Sequence, residues 1–137
     1  MKNTVSVIVN FHNGEKYLEN CIKSVLNQSY KQFELILWDN ASTDNSKKIL
    51  EKFKDKKIKY FRHPIKENLY MARNRAIEVS SGQLIAFLDC DDWWEENYLS
   101  SREKFFTDPN IDYLYCNTNI FFEKKKKKKL YRKKVLP

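Results

Sequence analysis

Asp89-Cys90-Asp91-Asp92 packs three carboxylates into four residues. Carboxylates this close oppose one another's ionisation unless a positive charge joins them. A hard divalent cation fits, because Mg²⁺ and Mn²⁺ accept carboxylate and phosphate oxygens alike. The cluster follows directly on an apolar run, residues 84–88. Polar groups follow three other apolar runs: Asn10-Phe11-His12-Asn13 after 5–9, Asp39-Asn40-Ala41-Ser42-Thr43-Asp44 after 33–38, and Arg62-His63-Pro64, leading to Asn68, after 58–61. Gly14 and Gly82 are the only glycines, so neither a P-loop nor a G-x-G-x-x-G loop can be built. Phosphate is therefore not cradled by a glycine-rich turn. A carboxylate-lined edge accepts a diphosphate when a cation lies between them, and that cation also stabilises charge on a departing diphosphate. Asp91 and Asp89 are the candidate ligands, with Mn²⁺ or Mg²⁺ as cofactor.

The elements that must position these groups are visible as a change of period. The apolar runs are short and rich in β-branched residues, as buried strands are. Between them lie helix-period segments. Residues 15–27 place Tyr17, Leu18, Cys21, Ile22, Val25 and Leu26 on one helical face. A helix is expected over 43–53, with Ser42 as its N-cap and Ile49, Leu50 and Phe53 inward. Asn68 should cap a helix running to Val79, and Gly82 suits a left-handed position after it. A further helix is expected over 95–106 with Tyr98, Leu99, Phe105 and Phe106 inward, then mostly extended chain over 111–122. The alternation predicts an α/β fold with a central, mainly parallel sheet flanked by helices. Ligands of such sheets bind beyond the carboxyl ends of the strands, where the polar segments gather.

At 137 residues, 42% of them apolar, the chain suffices for one domain with a real core. No apolar run approaches the roughly 20 residues that cross a bilayer, and the first strand begins without a signal-peptide pattern. Cys21, Cys90 and Cys116 are odd in number and form no C-x-x-C pair, so neither a disulfide framework nor a cysteine zinc site is expected. The chain reads as cytosolic. Its net charge of +8 is local: nine of the 26 basic residues fall in positions 124–134, which hold no acid, and the remaining 17 nearly match the 18 acids. Nucleic-acid binding, which spreads cations over a face or helix, is not expected.

Four blocks, in order, resemble the family 2 glycosyltransferases of the GT-A (Rossmann-like) fold. The first is Val5-Ser-Val-Ile-Val-Asn-Phe-His-Asn13 with Glu15-Lys-Tyr-Leu18 and Ser24-Val-Leu-Asn-Gln28. The second is Phe33-Glu-Leu-Ile-Leu-Trp-Asp39-Asn-Ala-Ser-Thr-Asp44, similar to the family's base-binding turn. Asn68 to Ala76, with Ala72-Arg73-Asn74, is similar to the helix before the metal motif, and Leu88-Asp-Cys-Asp-Asp92 to the DxD motif itself. The resemblance implies a nucleotide-sugar site of Asn10, His12, Asp39, Asn68, Arg73 and Asp89, with Asp39 accepting from the base (typically uracil), His12 beside it, and Asp91 with Asp89 at the metal. It implies a UDP-linked donor, a glycan, lipid-linked or protein acceptor, and a role in cell-envelope polysaccharide assembly. Asn10 and His12 stand where the family usually has Pro and Tyr, and Asn40 replaces a common second Asp. The family domain normally continues for roughly a hundred residues more, a size in keeping with ordinary domains. That part usually carries the catalytic base, so no base is assigned, and the fold is read as C-terminally incomplete. The nucleotide-sugar portion is placed at 1–123 and a basic segment at 124–137.

Each residue also has a plain structural reading. Asp39 and Asp44 suit turns and caps; Arg73 suits an ion pair with a neighbouring acid; Cys90, Trp93 and Trp94 suit packing or a lid; His63 suits a loop. The six consecutive lysines, Lys124 first and Lys129 last, read as a solvated turn between extended segments 113–122 and 130–135. They also read as a contact with anionic lipid, worth roughly 1 kcal/mol per cation near the surface, which would put the protein at the inner face of a membrane. Two rival functions are a nucleotidyltransferase, which would normally carry a glycine-rich loop, and a non-catalytic donor-binding or membrane-interaction module.

Overall fold

The computed structural model describes residues 3–116 and, as strands, 119–122 and 127–130. Two compact units divide at Thr107 and Asp108. In the first, β1 (Val5–Phe11), β2 (Phe33–Asn40), β3 (Ile58–His63) and β4 (Leu84–Phe87) form one sheet, order β3-β2-β1-β4, every neighbour pair parallel. Every residue of β2, and every residue of β1 except Asn10, is buried. This is why the middle of both strands is apolar on both faces rather than alternating.

Burial comes from helices on both faces. On one face Val5, Val7, Val9, Phe11, Leu35 and Leu37 pack with Leu18, Cys21, Ile22 and Val25 of α1 (Leu18–Leu26). On the other, Ile8, Ile36 and Trp38 meet Ala72 and Ala76 of α3 (Leu69–Glu78). Each such aliphatic side chain contributes roughly 1.5–3 kcal/mol on leaving water. Among the described residues no helix is long and apolar enough to cross a membrane.

The helices are shorter than their periodicity, and the reasons are specific. Chain 15–17 forms a turn in which the Tyr17 and Leu18 amides both donate to the Gly14 carbonyl, so α1 starts at Leu18. α2 covers only Ser46–Leu50, because the Ser42 hydroxyl accepts from the Asn13 amide instead of capping a helix. The helix expected over 95–106 is interrupted. Gln28, fully buried, accepts from Leu99 N at 2.9 Å and donates to Glu95 O at 2.7 Å. These are the two groups that an α-helical i, i+4 bond would join, so the chain becomes a 3₁₀ helix at Ser100–Phe105. Asn68 does cap α3, its Oδ1 accepting from Met71 N at 3.0 Å. Gly82 is not left-handed; a Cβ there would lie 2.7 Å from Ser6 N, Ser6 Oγ and Thr4 O, so close approach to β1 requires the glycine.

In the second unit β5 (Asn119–Phe122) pairs antiparallel with β6 (Lys127–Leu130), Asn119 opposite Leu130. Lys127, Lys128 and Lys129 therefore lie in a strand rather than a turn. Of the stretch 111–122 expected to be mostly extended, 119–122 is a strand and 111–116 is not. Lys124 to Lys126 and residues 131–135 fall outside the described residues.

Glu34, on β2 at the sheet edge away from the candidate site, is buried among donors: Ser6 Oγ, Ser81 N and Oγ, and Lys59 Nζ at 2.6 Å. Burial opposes its charge, but the bonds from Lys59, Ser6 and Ser81 outweigh it and bring its pKa to about 2 from an ordinary 4.5. A lowered folded-state pKa stabilises above the unfolded value and is lost as pH falls towards the folded one. Urea midpoints of the wild type should therefore drop between about pH 4.5 and 2. Glu34→Gln should flatten that drop and lower stability at neutral pH by roughly 1–3 kcal/mol.

Candidate functional site

The carboxyl ends of β1, β2 and β4 bring the sequence-predicted groups to one edge of the first unit. Cross-strand register sets Asn10 beside Trp38 and Phe11 beside Asp39. Beyond β4, Leu88 is buried while Asp89, Asp91 and Asp92 are exposed.

The turns after β1 and β2 are stitched together. Asn13 takes a left-handed φ of 58° and Ala41 one of 61°, conformations that cost an L-residue energy and persist only when surrounding bonds fix them. Here they do. Asn13 N donates to Ser42 Oγ at 2.9 Å and Asn13 Oδ1 accepts from Thr43 N at 2.8 Å. Gly14 N donates to Ser46 Oγ and Glu15 N to Asp44 Oδ2, each at 2.9 Å. Asp44 Oδ1 accepts from Ser46 N and Oγ, and the Glu15 carboxylate accepts from Asn45. Burial opposes the charge of Asp44, yet the bonds from Ser46 and the Glu15 amide hold its pKa below the ordinary value. Asp44 is thus a turn-stabilising residue.

His12 Nδ1 lies 2.9 Å from Asn40 O. A carbonyl only accepts, so the proton sits on Nδ1. Asn40 holds the approach to α3: its Nδ2 donates to Glu67 O at 2.8 Å and its Oδ1 accepts from Glu67 N at 2.9 Å. A carboxylate cannot donate, so Asn rather than Asp satisfies both groups. The Glu67 carboxylate in turn accepts two bonds from Arg75.

Asp39 is 1% exposed. Oδ1 accepts from Ser42 N at 2.7 Å and Oδ2 from Tyr60 OH at 2.9 Å, with Arg62 Nε 3.6 Å from Oδ2. The resemblance implies a carboxylate facing a base; here Oδ1 is met by its own turn and Oδ2 by β3. Asn10 is the reverse case. Its side-chain Oδ1 and Nδ2 are buried without a partner among the described residues, as is Nε1 of the neighbouring Trp38. Such orphaned groups are rare and point to an unfilled hydrogen-bonding role.

Arg73 and Asp89 are brought together. Arg73 Nη2 lies 2.8 Å from Asp89 Oδ1, and the guanidinium sits 5.1 Å from the Phe87 ring centre. Asn68, in contrast, uses its carboxamide on the first turn of α3. Partial burial, then the charges of Asp91 and Asp89, raise the pKa of Asp92. Burial and the same two charges push the Cys90 thiol to about 11, so it is an inert packing group. No set of three or more His, Cys, Asp or Glu side chains among the described residues is arranged to hold a metal unaided. Trp94 packs in the core, stacked on Tyr98 at 4.1 Å. His63 ends β3 and stacks on Trp38 at 6.4 Å, so it is not a loop residue. Tyr60, Arg62, Glu67 and Arg75 are not among the nucleotide-sugar or metal residues expected from the sequence, although Arg62 stands in the polar segment after the third apolar run. The period of two through Ile58, Tyr60 and Arg62 was the available signal for the first pair.

The family model for glycosyl transferase family 2 matches residues 6–136. The UDP-Glc:alpha-D-GlcNAc-diphosphoundecaprenol beta-1,3-glucosyltransferase WfgD of Escherichia coli is 38% identical over 117 residues, 85% of this chain and 46% of that protein. The chain thus spans about half the length of the curated relatives it matches. Among solved structures, S. aureus TarS 1–349 in complex with UDP is similar with a TM-score of 0.72 and 28% identity, over 78% of this chain and 33% of that one. The mannosyltransferase PcManGT of Pyrobaculum calidifontis, solved with GDP-Man and Mn²⁺, shares the fold at a TM-score of 0.74 and 23% identity, over 81% of this chain and 34% of that one. The GT-A fold expected from the sequence is the fold observed.

Asp44→Ala removes the acceptor of three bonds. It should cost roughly 1–2 kcal/mol in urea denaturation and speed hydrogen exchange at the Glu15 and Ser46 amides, while amides in β1 stay protected.

Proposed function

We propose, since this chain belongs to the family 2 glycosyltransferases, that it is the donor-binding part of an enzyme transferring a sugar from a UDP-linked donor to an acceptor hydroxyl. One observation carries the reading. The Asp39 turn, His12, the Arg73–Asp89 pair and Asp91 all lie at the carboxyl edge of one parallel sheet, where α/β proteins bind nucleotides.

In this reading the base lies at the turns after β1 and β2. Asp39 accepts its N–H, and His12, held by Asn40, borders the ring. The unpartnered Asn10 amide lies beneath the same edge. Arg73 serves the diphosphate from α3, and Asn68, by capping α3, sets where that helix begins. Asp91 and Asp89 suit a hard divalent cation: both are exposed carboxylates one residue apart at a strand end. Two protein carboxylates leave coordination positions for diphosphate oxygens and water, which is how Mg²⁺-type ions are commonly held in phosphate sites. When bound, Mn²⁺ or Mg²⁺ would supply Lewis-acid stabilisation of the departing diphosphate. Arg73 stays within reach of Asp89 and adds a second positive charge at that place. The base that takes the acceptor proton is not assigned to any residue of this chain.

The relatives support UDP as donor nucleotide, since WfgD is named for UDP-Glc and TarS was solved with UDP. They also support a lipid-linked glycan as acceptor. Such an acceptor lies at a membrane, and the run from Lys124 to Lys129 is suited to an anionic surface. The chain should co-sediment with phosphatidylglycerol vesicles at low salt and be released at high salt; equal sedimentation with neutral vesicles would remove the membrane role.

Calorimetric titration tests the donor site. UDP should bind in the presence of Mn²⁺ and weakly or not at all without it. Asp91→Ala should abolish the metal dependence, with a loss of about 1.4–2.8 kcal/mol, or roughly ten- to a hundredfold in affinity. A folded wild-type chain that binds UDP equally with and without metal would contradict the assignment of Asp91.

A further inference from the structure

We propose that Tyr60 is a positioning residue for base recognition: its hydroxyl holds the Asp39 carboxylate in the orientation that a nucleobase N–H must meet. The inference rests on the donor-site reading above. Asp39 is the penultimate residue of β2, on the face that carries Leu35 and Leu37, and the register of β3 sets Tyr60 beside Leu37 and Arg62 beside Asp39. Three groups from the protein therefore meet one carboxylate, and they are not equal.

The Ser42 amide, at 2.7 Å on Oδ1, belongs to the turn that Asp39 itself closes. Tyr60 OH, at 2.9 Å on Oδ2, is carried by a ring packed against the core. Arg62 Nε, at 3.6 Å, is outside hydrogen-bonding distance; its side chain is 49% exposed and its Nη2 is bonded to Ser42 O. Arg62 is thus the contact that an incoming base displaces, and Tyr60 is the one that stays. Burial, then the bond to Asp39, push the Tyr60 pKa up to about 12, so the hydroxyl remains a donor throughout the neutral range.

A carboxylate offers about four acceptor positions. Ser42 and Tyr60 each take one, on different oxygens, which fixes the rotation of the carboxylate plane and leaves a free position on each oxygen. Uracil presents N3–H there. Cytosine presents a bare N3 lone pair, which a carboxylate repels. A carboxylate held in register therefore discriminates between the two pyrimidines, whereas one free to turn towards Arg62 does not.

The test is calorimetry of UDP and CDP, each with Mn²⁺, on the wild type, Tyr60→Phe and Asp39→Asn, with thermal unfolding of each chain. Tyr60→Phe should weaken UDP about tenfold and leave CDP unchanged, so that the preference for uracil shrinks by the same factor. Asp39→Asn, whose amide can both donate and accept, should shift the preference towards CDP. A purely structural role for Tyr60 would lower the melting temperature and leave the UDP/CDP ratio as in the wild type. That result, with the ratio altered in Asp39→Asn, overturns the inference and spares the donor reading. A ratio unaltered in Asp39→Asn, or a wild type that binds no uridine nucleotide, overturns both.

Discussion

A parallel strand covered by helices on both faces can place polar side chains only near its ends. β1 and β2 are such strands: Val7, Val9, Leu35, Ile36 and Leu37 have no exposed surface. A carboxylate or amide in the middle of either would lose its hydration without regaining it. The chain therefore collects its chemistry at the ends. Glu34 and Ser6 meet Ser81 and Lys59 near one edge, where all bonds are satisfied and the role is structural. Asp39, His12, Asn10 and Asp89 lie towards the other, where Asn10 is left without a partner among the described residues. The two edges differ in what is left over: hydrogen-bonding capacity remains at the end of β1 and β2 that carries Asn10 and Trp38.

Holding that edge still takes side chains that reach backbone. Two left-handed residues, Asn13 and Ala41, would relax if their turns were free. Ser42, Ser46 and Asp44 prevent it by accepting amides from the neighbouring turn. Asn40 does the same for the start of α3 through both bonds to Glu67. The result is an edge whose turns are fixed by side-chain hydrogen bonds, so that a ligand there would not have to order the loops.

Much of this was legible in the sequence, for identifiable reasons. β1 and β2 announced themselves because two-sided burial demands largely apolar runs, and Asn68 because a cap acts on its own helix. The carboxylate cluster at Asp89, Asp91 and Asp92 stood out by residue type and spacing, and the ion pair of Arg73 with a neighbouring acid was the plain reading of that residue. Gln28 was not. Its bonds to Glu95 and Leu99 cross 67 and 71 residues, and no local pattern records an amide inserted into another segment's helix bond. Gly82 looked like a helix terminator and is instead a clearance for β1. The burial of Asp39 was hidden too, because its cover comes from β3, a strand whose polar end reads locally as the start of a loop.

The central claim is that nucleotide and metal meet at the carboxyl edge of this sheet. The most direct measurement is an amide NMR titration of the whole chain with UDP, followed by Mn²⁺. UDP should shift amides of residues 11–14 and 40–44. Mn²⁺ added to that complex should broaden 89–92 most, while Ser6, Glu34 and Gly82 at the opposite edge stay unchanged. Broadening centred on that opposite edge, or Mn²⁺ effects at 89–92 that ignore the presence of UDP, would contradict the account.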